Sequence, residues 1–160
     1  MERLLLFAVV VALSLVASGV LLAQSNTDVG TWKLNVAKSK FSNAPAPKSQ
    51  TRTVVAQGDG AKVTVEGVAG DGSRIAYSYT TNYDGKGSAI SGVGLPNGAD
   101  TVALKRVDAN TVTYTFKNAG KVPQTARSVV SKDGKVTTLT AKGSDAQGHP
   151  ISVTVVYDKQ

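Results

Sequence analysis

The chain has 160 residues, with 18 Lys and Arg against 11 Asp and Glu, a net charge of +7 and no cysteine. The missing cysteines exclude disulfides, thiol chemistry and cysteine-ligated metals, and the length suits one domain with a modest core. The cations are scattered rather than blocked, so the excess reads as solvated surface; an anionic surface is the alternative partner and nucleic acid is not expected.

Met1, Glu2 and Arg3 precede an apolar run over residues 4–13, which Ser14 interrupts without a charge and residues 15–22 continue. A short n-region, an apolar core and a small residue before the polar shift predict a signal peptide over residues 1–23, cut after Ala23. The alternative is an uncleaved anchor, because the run is close to the roughly 20 apolar residues that span a bilayer. Cleavage leaves residues 24–160 as one exported domain, periplasmic or extracellular. Within it, residues 24–29 read as a loose leader.

Residues 30–36 alternate, with Trp32, Leu34 and Val36 on one face, as in a half-buried strand. Residues 37–48 read as a loop, because Pro45 and Pro47 break a helix or a central strand, and Phe41 is expected to tuck that loop against the body. Strands follow at 51–56, 62–68, 74–82, 88–91, 101–107, 111–117, 122–131, 135–141 and 151–157. Asp-Gly recurs at 59, 71, 84 and 133, each time between β-rich segments, and marks hairpin turns that need positive φ. Strands in meander order leave two edges unless the sheet closes. The expected fold is therefore all-β: an antiparallel up-and-down barrel of about 8–10 strands, without a helical lid. A two-sheet sandwich is the alternative.

The apolar faces are Trp32/Leu34/Val36, Val63/Val65, Ile75/Tyr77/Tyr79, Val102/Leu104, Val112/Tyr114/Phe116 and Ile151/Val153/Val155/Tyr157. They form either a filled core or the wall of a ligand site. The second reading draws on Tyr77, Tyr79, Tyr114 and Tyr157, whose hydroxyls want partners when buried, and on Arg106, which continues the Val102/Leu104 face. A buried arginine must be paired, and the acids in view are Glu66 and turn aspartates. The carboxylate of a ligand would satisfy Arg106 bidentately; a snorkelling strand-end side chain is the alternative. The expected ligand-binding set is Arg106, Tyr77, Tyr79, Leu104, Tyr114, Phe116 and Tyr157. Arg52, on the Val54 face, ranks below it.

His149 is the single histidine, beside Pro150 in a polar loop, so no metal site and no cofactor are expected. The glycine-rich turns lack the following helix and Lys of a phosphate loop. No serine sits in a Gly-x-Ser-x-Gly elbow, and Glu66 has no convincing acid partner for a carboxylate-pair hydrolase. No catalytic residue is predicted. The expected partner is a small apolar or amphipathic molecule; a ligand-free, envelope-associated module that binds protein is the alternative.

Gly30-Thr31-Trp32-Lys33-Leu34 resembles the opening strand of the calycin barrels, the lipocalins with Gly-x-Trp and the fatty-acid-binding proteins with Gly-Thr-Trp-Lys. The Tyr157-Asp158-Lys159 ending looks similar too, and the whole chain resembles uncharacterised exported lipocalin-like proteins of soil bacteria. The resemblance implies that Trp32 packs at the closed end of the barrel, with Arg127 a candidate for the arginine that stacks across it. Two departures stand out: residues 37–48 are too short and proline-rich for a helix pair, and Val155 stands where fatty-acid-binding proteins carry the clamp arginine two residues before a late tyrosine.

Overall fold

The computed structural model describes residues 26–43, 45–145 and 147–160; the expected signal peptide lies outside them. Twelve strands form one antiparallel sheet: β1 (Gly30–Leu34), β2 (Lys40–Ser42), β3 (Ser49–Gln57), β4 (Gly60–Val68), β5 (Arg74–Thr81), β6 (Asp84–Ala89), β7 (Ser91–Val93), β8 (Thr101–Asp108), β9 (Thr111–Asn118), β10 (Lys121–Val130), β11 (Val136–Ser144) and β12 (Pro150–Lys159). Among the described residues the only helical pieces are two 3-10 turns, Val36–Lys38 and Pro96–Gly98.

The strand order is β6-β8-β9-β10-β11-β12-β1-β3-β4-β5-β7, with β2 added on β12. The first strand thus pairs with the last: Trp32 lies opposite Lys159, and Leu34 opposite Tyr157. The two ends of this order, β6 and β7, are successive pieces of one bent strand joined at Ile90. Asp84–Ala89 pairs with β8 and Ser91–Val93 with β5. The sheet is therefore a nearly closed calycin-like barrel, and the bend at buried Ile90 is where it comes round on itself. Closure leaves few unpaired backbone groups, which is the reason a long meander curls up.

The interior is built by the period-two alternation of the strands. Trp32, Val63 and Leu104 are fully buried, and Val54 and Val102 nearly so. Several glycines let strands coil tightly. A Cβ on Gly67 would lie 2.2 Å from the main-chain oxygen of Ser49, and one on Gly143 would lie 2.1 Å from that of Pro123.

Three expectations are corrected. Val36 does not share the buried Trp32 face; it is 42% exposed, because β1 ends at Leu34 and Asn35 caps a 3-10 turn, its side-chain oxygen accepting from the Lys38 amide at 3.1 Å. Residues 37–48 are not wholly loop, since β2 pairs Lys40, Phe41 and Ser42 with Thr154, Val153 and Ser152. The segment 24–29 is not a loose leader over its described part. Val29 N–H closes a turn onto the Asn26 carbonyl, Thr27 Oγ1 donates to the Ala109 carbonyl at 2.6 Å, and Asp28 is 3% exposed.

Candidate functional site

The N-terminal turn plugs the barrel end that carries the 81–84 and 108–111 connections. Its Asp28 carboxylate is the hub. Arg52 Nη2 lies 3.5 Å from Oδ2, Arg106 Nη2 lies 3.6 Å from Oδ1, and the Tyr83 hydroxyl donates to Oδ2 at 2.9 Å. The indole N–H of Trp32 donates to the Asp28 main-chain oxygen at 2.8 Å. The buried carboxylate is thus paired with two guanidinium groups and hydrogen-bonded through Oδ2, while Oδ1 faces Arg106 without a hydrogen bond.

Arg106 stands on the inner face of β8, as the alternation of that strand predicts, and the carboxylate it faces is that of Asp28. Its guanidinium also donates to the Asn26 side chain and stacks 4.2 Å over the Tyr83 ring. The turn that supplies Asn26 and Asp28 has no strand alternation in its sequence, so no sequence pattern points to the pairing. Tyr83 was missed for a similar reason: it sits in the β5–β6 turn at φ 56.

Arg127 does not stack across Trp32. Ala126, Ser128 and Val130 take the inward positions of β10, which turns Arg127 to solvent. The cation over the Trp32 ring is Lys159, its cross-strand partner, at 5.1 Å.

Arg52 lies deeper inside the barrel than Arg106. It sits opposite both Trp32 and Val65, is 5% exposed, and donates from Nη2 to the Tyr114 hydroxyl at 3.1 Å. Burial works against its charge. The surrounding oxygens of Tyr114, Tyr79, Asp28 and Tyr157 outweigh that effect and raise its pKa further, so the guanidinium stays a cation. Desolvation pushes the phenols of Tyr77, Tyr79 and Tyr114 above the usual tyrosine value and that of Tyr157 up to about 12, so all remain neutral donors at physiological pH. The Tyr157 hydroxyl donates to the Gln50 side-chain oxygen.

Of the expected binding residues, the structure gathers Tyr77, Tyr79, Tyr114 and Tyr157 around Arg52. Phe116 stacks on Tyr114 with ring centres 6.1 Å apart. Leu104 is buried in the core beside Tyr114, its cross-strand partner. Away from the plug, the inner-wall positions Gln50, Tyr77, Gln124, Leu139 and Val153 are only half-buried. Among the described residues, no group of three or more His, Cys, Asp and Glu is placed to hold a metal ion.

No protein-family model matches the sequence, and no curated protein matches it. The barrel is similar to a solved structure of the zebrafish ileal bile acid-binding protein complexed with cholic acid, with a TM-score of 0.53 and 14% identity over 84% of this chain and 99% of that one. A structure of EF1p2_mFAP2b bound to DFHBI matches with a TM-score of 0.49 and 10% identity over 86% of this chain and 98% of that one. At 14% identity the likeness to the bile acid-binding protein shows the fold alone, a calycin-like β-barrel.

Proposed function

We propose that this protein binds a small amphipathic anion inside the barrel, with its apolar part along the half-buried wall of Tyr77, Leu139 and Val153 and its acidic group toward Arg52. The observation that carries this reading is Arg52, a buried guanidinium surrounded by phenols on the inner face. One of its nitrogens serves Asp28 and Tyr114, and a guanidinium has five donors. Arg106, committed to the plug, is a weaker ligand contact than Arg52 in this proposal. A bile acid-binding protein with this fold is consistent with a ligand of that class. The chain is further proposed to be an exported lipocalin-like protein that loses residues 1–23; sequencing the N-terminus of protein from its native envelope fraction should then start at Gln24.

A second reading, a filled barrel that works through its outer surface, is favoured by the near-complete burial of Trp32, Val54, Val63, Val102 and Leu104. Native mass spectrometry of the purified protein, repeated after denaturation, separates the two. The first reading expects a stoichiometric small molecule, or saturable enhancement of dansyl-undecanoate fluorescence that undecanoate reverses better than undecanol. Neither adduct nor probe response would leave the filled-barrel module.

A further inference from the structure

The outer wall over β8 to β12 shares its hydroxyl-rich rows with β3 to β5, where Thr53, Thr64 and Ser78 align, but carries no glutamate among its cations. Cross-strand register sets Lys105, Thr113, Arg127, Thr140, Thr154 and Lys40 in one row across six strands. The adjacent row carries Thr115, Thr125, Lys142 and Ser152. The cations Lys40, Lys105, Arg127 and Lys142 are exposed, and among the described residues no carboxylate lies within salt-bridge distance of them. Asp84 stands opposite Lys105 across β6 but is held 3.6 Å from Lys86; Asp108, at the end of β8, accepts from the Asn110 amide and is drawn to the Arg127 charge beyond salt-bridge distance.

Arg127 and Lys142 are diagonal neighbours, roughly 7–8 Å apart, and Lys105 lies two strands from Arg127, roughly 10 Å. Shallow grooves, open to solvent, lie beside Arg127 and Lys142, and Lys105 lies outside them. A groove of about 560 Å³ runs over Thr113, Thr125, Arg127, Thr140 and Lys142, and one of about 400 Å³ adjoins it, sharing Arg127 and Thr140. The opposite wall, at β4 and β5, places Glu66 beside Lys62 instead.

We propose that this wall docks a linear, carboxylated polysaccharide. The spaced cations meet carboxylates along a chain, and the threonine hydroxyls, each both donor and acceptor, match the hydroxyls of sugar rings. Duplex DNA and anionic bilayers share the charge. A groove favours a rod over a flat bilayer, and hydroxyls at every second position suit a polyol better than a phosphate backbone. This inference is independent of what the interior holds.

The test is binding of the full chain to immobilised polygalacturonate at low salt, with neutral dextran as the blank. The expected result is saturable binding that weakens as salt rises. It should fall on the order of ten-fold in R127Q/K142Q and in K40Q/K105Q, at unchanged Tm, since each exposed contact contributes modestly. The double variant K62Q/R74Q removes the same charge from the opposite wall and should stay within about two-fold of the parent. Absence of binding, equal losses in all three double variants, or tighter binding to phosphatidylglycerol vesicles or duplex DNA at the same salt would each overturn the proposal.

Discussion

Replacing Asp28 with Asn tests whether the plug holds the barrel together. The substitution keeps the shape and one oxygen for the Tyr83 hydroxyl, and removes the charge. Arg52 lies 3.5 Å from that carboxylate, and the two side chains are 6% and 4% exposed, so water screens the pair little. At that distance the attraction is roughly 4–5 kcal/mol for an effective dielectric near 20. Relief of the carboxylate's own desolvation offsets part of it, and stranding a buried charge typically costs about 3–5 kcal/mol. We expect D28N to lose about 3 kcal/mol, a fall in Tm of roughly 10 °C for a domain of this size. Chemical denaturation followed by the emission of Trp32, the single tryptophan and a fully buried one, reads this directly. The double variant D28N/R52Q removes both charges and should lose about 1–3 kcal/mol less than the sum of the single losses. A D28N protein within about 0.5 kcal/mol of the parent, or strict additivity in the cycle, would refute the reasoning.

Alkali should unfold the protein cooperatively. All five tyrosines, Tyr77, Tyr79, Tyr83, Tyr114 and Tyr157, have phenols raised above the usual value of 10, by burial first. Below pH 10 both states keep their protons. Above it the unfolded chain releases protons that the fold retains, so stability drops by about 1.4 kcal/mol per pH unit for each such phenol; for Tyr157 the drop ends near pH 12. Tyrosinate absorbance should therefore rise together with the loss of the β signal in circular dichroism, and a rise in the intact fold would contradict the burial. At the acid end Asp71, Asp84 and Asp108 are held below the usual carboxylate value, chiefly by the backbone amides of Ser73, Lys86 and Asn110. Their support is present above about pH 4 and fades as pH falls through their lowered values, which a urea series across pH 2–5 would show as a declining midpoint. G143A should cost about 1–3 kcal/mol, because its Cβ would meet the Pro123 carbonyl and backbone must move; a thermal melt checks it. R106A should cost less than R52Q, since its side chain is 14% exposed against 6% for Arg52; equal losses would make Arg106 as central as Arg52.

The barrel was legible in the sequence because it rests on local rules. Alternation placed the Val63/Val65, Ile75/Tyr79, Val102/Leu104 and Val112/Tyr114/Phe116 faces inside, and the Asp-Gly pairs at 59, 71 and 133 mark where the chain reverses; Asp84-Gly85, expected as a turn, instead opens β6, and the turn falls at Asn82 and Tyr83. The interruption between β6 and β7 was less legible. Glycines at 85, 87 and 92 weaken the signal over 84–93, and that stretch pairs with different neighbours in its two halves.

What alternation alone determined was which strand residues face inward, including Arg106, Arg52, Tyr77, Tyr79, Tyr114 and Tyr157. What only the tertiary structure decided was who meets whom there. Asp28 and Arg106 are nearly eighty positions apart, and they meet because closure of the sheet brings the N-terminal turn over the end of β8. No local pattern encodes that juxtaposition. An ion pair inside a barrel depends on two side chains reaching the same volume from opposite walls, and that is a property of closure rather than of any single strand.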